Sequence, residues 1–316
     1  MRAYVLKRIL SLVPTLIGVT ILVFLMIRLI PGTVVDQLIG TEVKVDESTK
    51  VAMRAFFGLD KPLYTQYFSW LNGLLHGDLG QSWRSGLPVS RMIFDRLAVT
   101  AELATGALLI SVLVGTPLGI GSAVRENTLL DHVVRITSLF SLSIPIFWQA
   151  AMLILGLSIW FKWVPPVEYT PPTIDPLGNL KQMTLPAIVL GTVVAAQVMR
   201  MTRSSLLEVL RHDYVRTARA KGLAERLVVS RHALKNALVP IITIIGVQVG
   251  YLLGGAVVTE EVFTLPGVGR LMLTAVYERD YPLVQGTMLF TAGLFMLSNL
   301  SVDLLYAYLD PRVRYE

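Results

Sequence analysis

The chain contains no cysteine among its 316 residues, which excludes disulfides, thiolate metal sites and a cysteine nucleophile. Charge is scarce as well, with Asp, Glu, Lys and Arg together making up 16%. No G-x-x-x-x-G-K-[ST] occurs, so the chain has no P-loop cradle for nucleotide phosphates, and no H-E-x-x-H offers paired ligands to zinc. His76, His132, His212 and His232 are too scattered in sequence to form a metal-ligand cluster. Gly119-Ile120-Gly121 lacks the later glycine of a dinucleotide turn, and Gly156-Leu157-Ser158 has no paired base. The expectation is a chain with no catalytic residues, no metal ligands and no cofactor of its own.

What is abundant is apolar surface. Hydrophobic residues make up 53% of the chain and mean hydropathy is +0.61, too much for an ordinary soluble domain. Six runs are long enough to cross a hydrocarbon core, which takes about 20 apolar residues in a helix: Ile9 to Ile30, Leu103 to Val124, Ile136 to Phe161, Met183 to Met199, Ala237 to Val258 and Leu283 to Leu305. They lack the short alternation of barrel strands, so the expected fold is an all-α polytopic membrane protein with six transmembrane helices. Arg2, Lys7 and Arg8 precede the first run as in a secretory signal, but the run is too long and no small-x-small cleavage pattern follows Leu29-Ile30-Pro31-Gly32, so it reads as a retained helix. The spans carry no array of carboxylates for a proton relay, so active movement of a solute would draw its energy from another subunit.

Lys and Arg in the short loops set the orientation. Sixteen fall on one side, including nine between Arg200 and Asn236, and four on the other. Both termini and the Arg200 to Asn236 loop are therefore expected in the cytoplasm. This bias also accounts for the net charge of +6 without a nucleic-acid partner. The chain divides into 1–97, the first helix and an external region; 98–307, a five-helix core carrying the loop at 200–236; and 308–316, a tail. In the external region Pro62 suits a first helical position, and Leu63, Tyr67, Trp70, Leu71, Leu74 and Leu75 recur at helical spacing up to Gly77, a stripe for the membrane interface or for the bundle. The five prolines from Val164 to Pro176 mark a loop. Glu260-Glu261-Val262-Phe263-Thr264-Leu265-Pro266-Gly267-Val268-Gly269-Arg270 is a turn-rich segment of the last external loop.

Two features inside the spans have both a structural and a functional reading. Gly246, Gly250 and Gly254 recur every four residues, a smooth face for a neighbouring helix. Alternatively they line or gate a path, with Gln248 and Tyr251 as its polar wall. Asp303 is an acid within the last span and by default a functional candidate, or it pairs with a basic residue near the end of that span. Arg28 and Glu102 lie near span ends, where snorkelling is cheap.

The polar island between Arg200 and Asn236 is the most specific feature. Asp213 is placed as an N-cap, eight residues follow without Gly or Pro, and Gly222 falls where a C′ glycine ends a helix. A structured helix at a membrane surface suits a partner protein. The run Asp213-Tyr214-Val215-Arg216-Thr217-Ala218-Arg219-Ala220-Lys221-Gly222, followed by Arg231-His232-Ala233-Leu234-Lys235-Asn236-Ala237-Leu238-Val239-Pro240, resembles the cytoplasmic loop of ABC importer permeases. The subgroup it is most similar to is the first permease type of dipeptide, oligopeptide, nickel and glutathione systems. Tyr4-Val5-Leu6-Lys7-Arg8-Ile9, Gly58-Leu59-Asp60-Lys61-Pro62-Leu63, Gly77-Asp78-Leu79-Gly80 and Pro266-Gly267-Val268-Gly269-Arg270 extend the likeness over nearly the whole chain. Arg216-Thr217-Ala218 stands where the wider family has Glu-Ala-Ala, and Gly222 matches the family glycine.

The resemblance implies a permease that forms half of a translocation pathway in a bacterial or archaeal plasma membrane. Its partners would be a second homologous permease, two ATPase subunits that use ATP and Mg, and an extracytoplasmic solute-binding protein. Residues 213–222 would be the ATPase-coupling segment, with Tyr214, Val215 and Ala218 as apolar contacts and Arg216, Arg219 and Lys221 as charged ones. Di- or oligopeptides are the expected cargo, with glutathione, nickel chelates or oligosaccharides as alternatives. The rival reading is a non-transporting membrane scaffold that binds a cytoplasmic partner through the same helix.

Overall fold

The computed structural model describes residues 2–29, 35, 46–56 and 58–309. Among these, Gly254 and Asp303 are present, whereas the expected tail at 308–316 falls almost wholly outside. The described chain is built from helices: α1, Arg2–Leu29; α2, Glu47–Phe56; α3, Leu63–Leu75; α4, Val89–Val124; α5, Leu129–Ser143; and α6, Ile146–Phe161. They continue with α7, Pro176–Leu210; α8, Asp213–Ala220; α9, Leu234–Gly255; α10, Val257–Val262; α11, Val268–Tyr277; and α12, Tyr281–Leu309.

Among the described residues four helices are long and apolar enough to cross a membrane, and five if a bent pair is counted as one span. The bent pair revises the expected third span. Ile136 to Phe161 is not one helix, because α5 and α6 meet at 105°, with Ile144 extended and Pro145 opening α6. Proline disfavours a helical conformation at the preceding residue and removes a ladder donor, which gives the turn a local origin. The helix α1 contains the apolar stretch Leu10–Met26, within the expected Ile9 to Ile30.

The centre of the molecule is α7. Val189, Leu190, Val194 and Val198 on it pack with Leu103 and Ala107 of α4 and Leu252 of α9. Close approach of α4 and α7 depends on missing side chains: a Cβ on Gly119 would lie 2.8 Å from the carbonyl of Met199, and one on Gly191 2.9 Å from that of Ala107. The ladder of α4 widens to a π turn at Ser111–Gly115, which lets the helix keep two glycine contacts on one neighbour despite its own pitch. At the N-terminus of α7, Asp175 accepts a hydrogen bond from Gly178 N at 2.9 Å and caps the helix.

The aromatic stripe of α3 packs on the bundle. Tyr67 and Trp70 lie 5.2 and 5.9 Å from the Phe24 ring of α1, while Tyr64 and Phe68 remain exposed. Arg28 does more than snorkel: its guanidinium lies 3.4 Å over the Phe24 ring and hydrogen-bonds Gln66 Oε1 at 2.8 Å. Glu102 accepts a 2.8 Å bond from Tyr169 Oη, which ties the proline-rich loop to α4. Burial, reinforced by that carboxylate, pushes the Tyr169 phenol up to about 12.

At the same end of the bundle the turn-rich segment is organised by one buried carboxylate. Glu260 accepts from Thr100 Oγ1 at 2.7 Å and from Arg270 N at 2.9 Å, and Thr100 Oγ1 in turn accepts from Val268 N at 2.9 Å. Together they satisfy the first N–H groups of α11, which would otherwise be orphaned. The glycines of Pro266-Gly267-Val268-Gly269-Arg270 make room for this carboxylate, since a Cβ on Gly267 would stand 2.2 Å from Glu260 Cδ. Arg270 closes the turn by donating to the Thr264 carbonyl at 2.8 Å. Burial is the largest influence on Glu260 and raises its pKa, opposed by these hydrogen bonds. Nearby, buried Asp280 accepts from Ser82 Oγ and, at 3.1 Å, from Trp83 N, joining the loop before α4 to the start of α12.

Candidate functional site: a helix anchored on the basic loop

The helix expected in the basic loop is present as α8, Asp213–Ala220. Its N-cap is His212, in extended conformation, and not Asp213, which is the first helical residue. Asp213 therefore acts through its charge beside the positive end of the helix, and through Arg216 at 3.4 Å, rather than as a capping acceptor. The expected stop holds: Gly222 adopts φ +78°, the left-handed conformation that glycine accepts at a helix C-terminus without steric cost.

The apolar contacts are divided differently from the expectation. Val215 is fully buried, and with Ala218 it packs on Val228 and Leu210 of the same chain. These two side chains anchor α8 and are not free to meet a partner. Burying a valine side chain contributes about 1.5–3 kcal/mol toward holding the two turns in place. Tyr214 is 42% exposed, stacks on His212 with ring centroids 5.8 Å apart, and accepts from Asn236 Nδ2 at 2.7 Å. The outward face is Tyr214, Arg216, Thr217, Arg219, Ala220 and Lys221. Arg219 forks onto Glu225 at 3.0 and 2.7 Å, closing the turn around Gly222.

The return path from α8 is continuous. A short turn at Glu225–Leu227 leads into a π turn at Val228–Ala233 and then α9 without a break. Val215 and Ala218 rest on that π turn, and Tyr214 is bonded to the first turn of α9. The helix α8 is thus tied by packing and a hydrogen bond to the start of α9.

On the same side a buried acid, missed by sequence reasoning, locks three helices. Asp131 of α5 accepts from Ser122 Oγ at 2.6 Å, from Asn127 N at 3.0 Å, and from Arg203 Nε and Nη2 of α7 at 2.7 and 2.9 Å. The sequence held a weak signal, an acid opening α5 directly after the Arg125-Glu126-Asn127 turn, but nothing local pairs it with a residue 72 positions on.

Of the residues offered as a path or gate, Gly246 and Gly250 pack closely against α12. A Cβ on Gly246 would stand 2.1 Å from Val302, and one on Gly250 2.9 Å from Phe295, both on α12. Ser298 Oγ donates to the Gly246 carbonyl at 3.3 Å. Gln248 is buried with its amide nitrogen unpaired, Tyr251 is exposed, and Gly254 lies in the last turn of α9. Asp303 pairs with Arg8 of α1 at 3.3 Å, the structural alternative. Among the described residues no group of His, Asp and Glu is placed to hold a metal.

Residues 115–315 match the family described as "Binding-protein-dependent transport system inner membrane component", and residues 1–104 match the N-terminal part described for the same membrane components. The chain belongs to this family of inner membrane transport components. It is 40% identical over 339 residues to the dipeptide transport system permease protein DppB of Escherichia coli K12, with all of both chains covered. It is also 40% identical over 336 residues to DppB of Alkalihalophilus pseudofirmus, again with full coverage. The di/tripeptide transport system permease protein DppB of Pseudomonas aeruginosa is 41% identical over 336 residues, with all of both chains covered. Among solved structures, the MetNI methionine ABC transporter has a chain that aligns with 69% of this one and 96% of its own length at a TM-score of 0.53 and 16% identity. That likeness establishes the shared helical fold. The chain is thus a multi-pass membrane component of a transport system.

Proposed function

We propose that this chain is the permease subunit of an ATP-driven importer of di- and oligopeptides, forming half of the translocation pathway beside a second homologous permease. Two ATPase subunits, which bind ATP and Mg, dock on the outward face of α8. An extracytoplasmic solute-binding protein docks at the Glu260 end, on the side assigned to the 31–97 segment and the 259–281 loop. Both termini and the basic loop face the cytoplasm. The core at 98–307 performs the movement, and 308–316 is a tail. The observation that carries this reading is the anchoring of α8: two buried side chains, a left-handed glycine stop and a tyrosine bonded to α9 make it a rigid lever rather than a floating loop. Full-length identity of about two-fifths to dipeptide permeases supports the peptide cargo. ATP-driven closure of the ATPases would push α8, tilt α9, and switch the pathway between outward and inward openings.

The test is co-purification with the neighbouring subunits in lipid nanodiscs, followed by ATPase assay. Loaded binding protein plus a dipeptide such as Ala-Ala should raise hydrolysis, whereas a subunit that acts only as a scaffold would leave it flat. Gly222→Pro, which cannot adopt φ +78°, should leave insertion intact and uncouple hydrolysis from uptake. Wild-type uptake by that variant would refute the lever.

A further inference from the structure

The inner half of α7 is enclosed on one side and open on the other. Gln197, Arg200, Ser204 and Glu208 recur at i, i+3, i+7 and i+11, so they lie on one helical face. All four are polar, although they continue directly from an apolar span. Two grooves run along this face. One, of about 520 Å³, is lined by Gln197, Arg200 and Ser204 together with Arg135, Ser138 and Leu139 of α5 and Ile244 of α9. The other, of about 510 Å³, shares Arg203 and Ser204 and adds Glu126, Glu208 and Arg211. Their charges are not equivalent. Arg203 is consumed by Asp131 and Arg211 by Glu126. Arg135, Arg200 and Glu208 have no ion pair among the described residues, and Gln197 has no hydrogen-bond partner there. Cations and amides at the end of a span are costly against lipid and mark pathways when they face a water-filled groove.

We infer that the open face of α7 lines the inner mouth of the translocation pathway, where Arg135 and Arg200 receive the free carboxylate of the departing peptide. The inference deepens the proposed function and rests on its peptide cargo. A carboxylate is the anion common to peptides of every side-chain composition, and arginine binds it through two parallel N–H donors. Glu208 favours a peptide over a purely anionic ligand. It stands eight residues along α7 from Arg200, about 12 Å at 1.5 Å per residue, and complements an ammonium group at the other end of a short extended chain. A phosphate or an acidic lipid headgroup would gain nothing from that carboxylate. The sites of Gly246 and Gly250 are filled by α12, so the polar lining comes from α7 and α5.

The complete transporter, reconstituted with its binding protein, tests this. During ATP-driven uptake a dipeptide carrying a diazirine should cross-link to the 197–208 segment, read by mass spectrometry, with excess Ala-Ala suppressing the product. Arg135→Gln combined with Arg200→Gln should lower Ala-Ala uptake about tenfold, as expected for a lost charge-assisted contact, while the Arg→Lys pair retains most of it and peptide affinity of the binding protein stays unchanged. Cross-links elsewhere only, or undiminished uptake by the double glutamine variant, would overturn the inference. So would a variant whose deficit matches the effect of replacing phosphatidylglycerol by phosphatidylcholine around the wild type, because the arginines would then serve a lipid. If the wild-type complex moves no peptide at all, it is the proposed cargo that fails, a result separable from loss in the variants alone.

Discussion

Glu260 shows how one side chain organises a surface. It is fully buried, and its oxygens occupy the donors of Thr100 and of the first turn of α11. Removing it as Glu260→Ala leaves those donors unpaired and should cost about 3 kcal/mol, read as a lower midpoint in chemical denaturation of the complex. Because burial raises its pKa, the folded state holds the carboxyl proton more tightly than the unfolded state. Its contribution to stability is therefore fully present below the ordinary glutamate range and is lost as pH rises through the folded value. Thermal unfolding measured between about pH 4 and 8 should show this decline in the wild type, and Glu260→Gln should lack it. Gly267→Ala, which places a methyl against the same carboxylate, should destabilise in the same assay. Asp131 is a second such residue: Asp131→Ala strands the Arg203 guanidinium, and breaking a buried pair costs about 3–5 kcal/mol.

At the scale of elements, α8 is short. Eight residues form no stable helix alone, so its order comes from Val215 and Ala218 on the π turn before α9, the Arg219–Glu225 fork, and Gly222. Val215→Asp should therefore release α8 without disturbing the spans, seen as faster amide exchange at 213–222 and weaker ATPase co-purification. Tyr214→Phe keeps the stack on His212 but removes the oxygen that Asn236 donates to. Its expected effect is narrower, with ATPase subunits still bound and uptake per ATP reduced several-fold. The two π turns share a physical rationale. At Ser111–Gly115 the wide turn keeps α4 in glycine contact with α7, and at Val228–Ala233 it sets the direction in which α9 leaves α8.

For the whole molecule, α7 is the axis on which α4, α5, α6 and α9 pack, with α12 on α9 and α1 outside on α12. The two ends are chemically distinct: Asp280, Glu260 and Tyr169 organise one, while Asp131, Arg203 and α8 organise the other. The proposed orientation can be checked without a background, since the chain has no cysteine. In intact cells a membrane-impermeant thiol reagent should label Lys50→Cys, and should label Arg216→Cys only after permeabilisation. The reverse pattern would place α8 outside and remove its access to ATPases.

The sequence by itself determined the helical membrane class, the positions of the long apolar runs, the existence and stop of α8, and the family resemblance, because hydropathy, proline and glycine act over a few residues. It determined neither the 105° break that divides the third run nor the partners of Asp131, Glu260 and Asp280, which lie in distant segments. Val215 and Ala218 read as partner contacts in the sequence and proved to be anchors, since an apolar residue on a short helix does not reveal which surface will cover it. The same holds for Gly246 and Gly250, whose spacing announces a close approach and leaves the approaching surface, here α12, to tertiary packing. Only the folded bundle could decide that the uncovered polar strip lies on α7, for exposure is a property of what the other helices leave open.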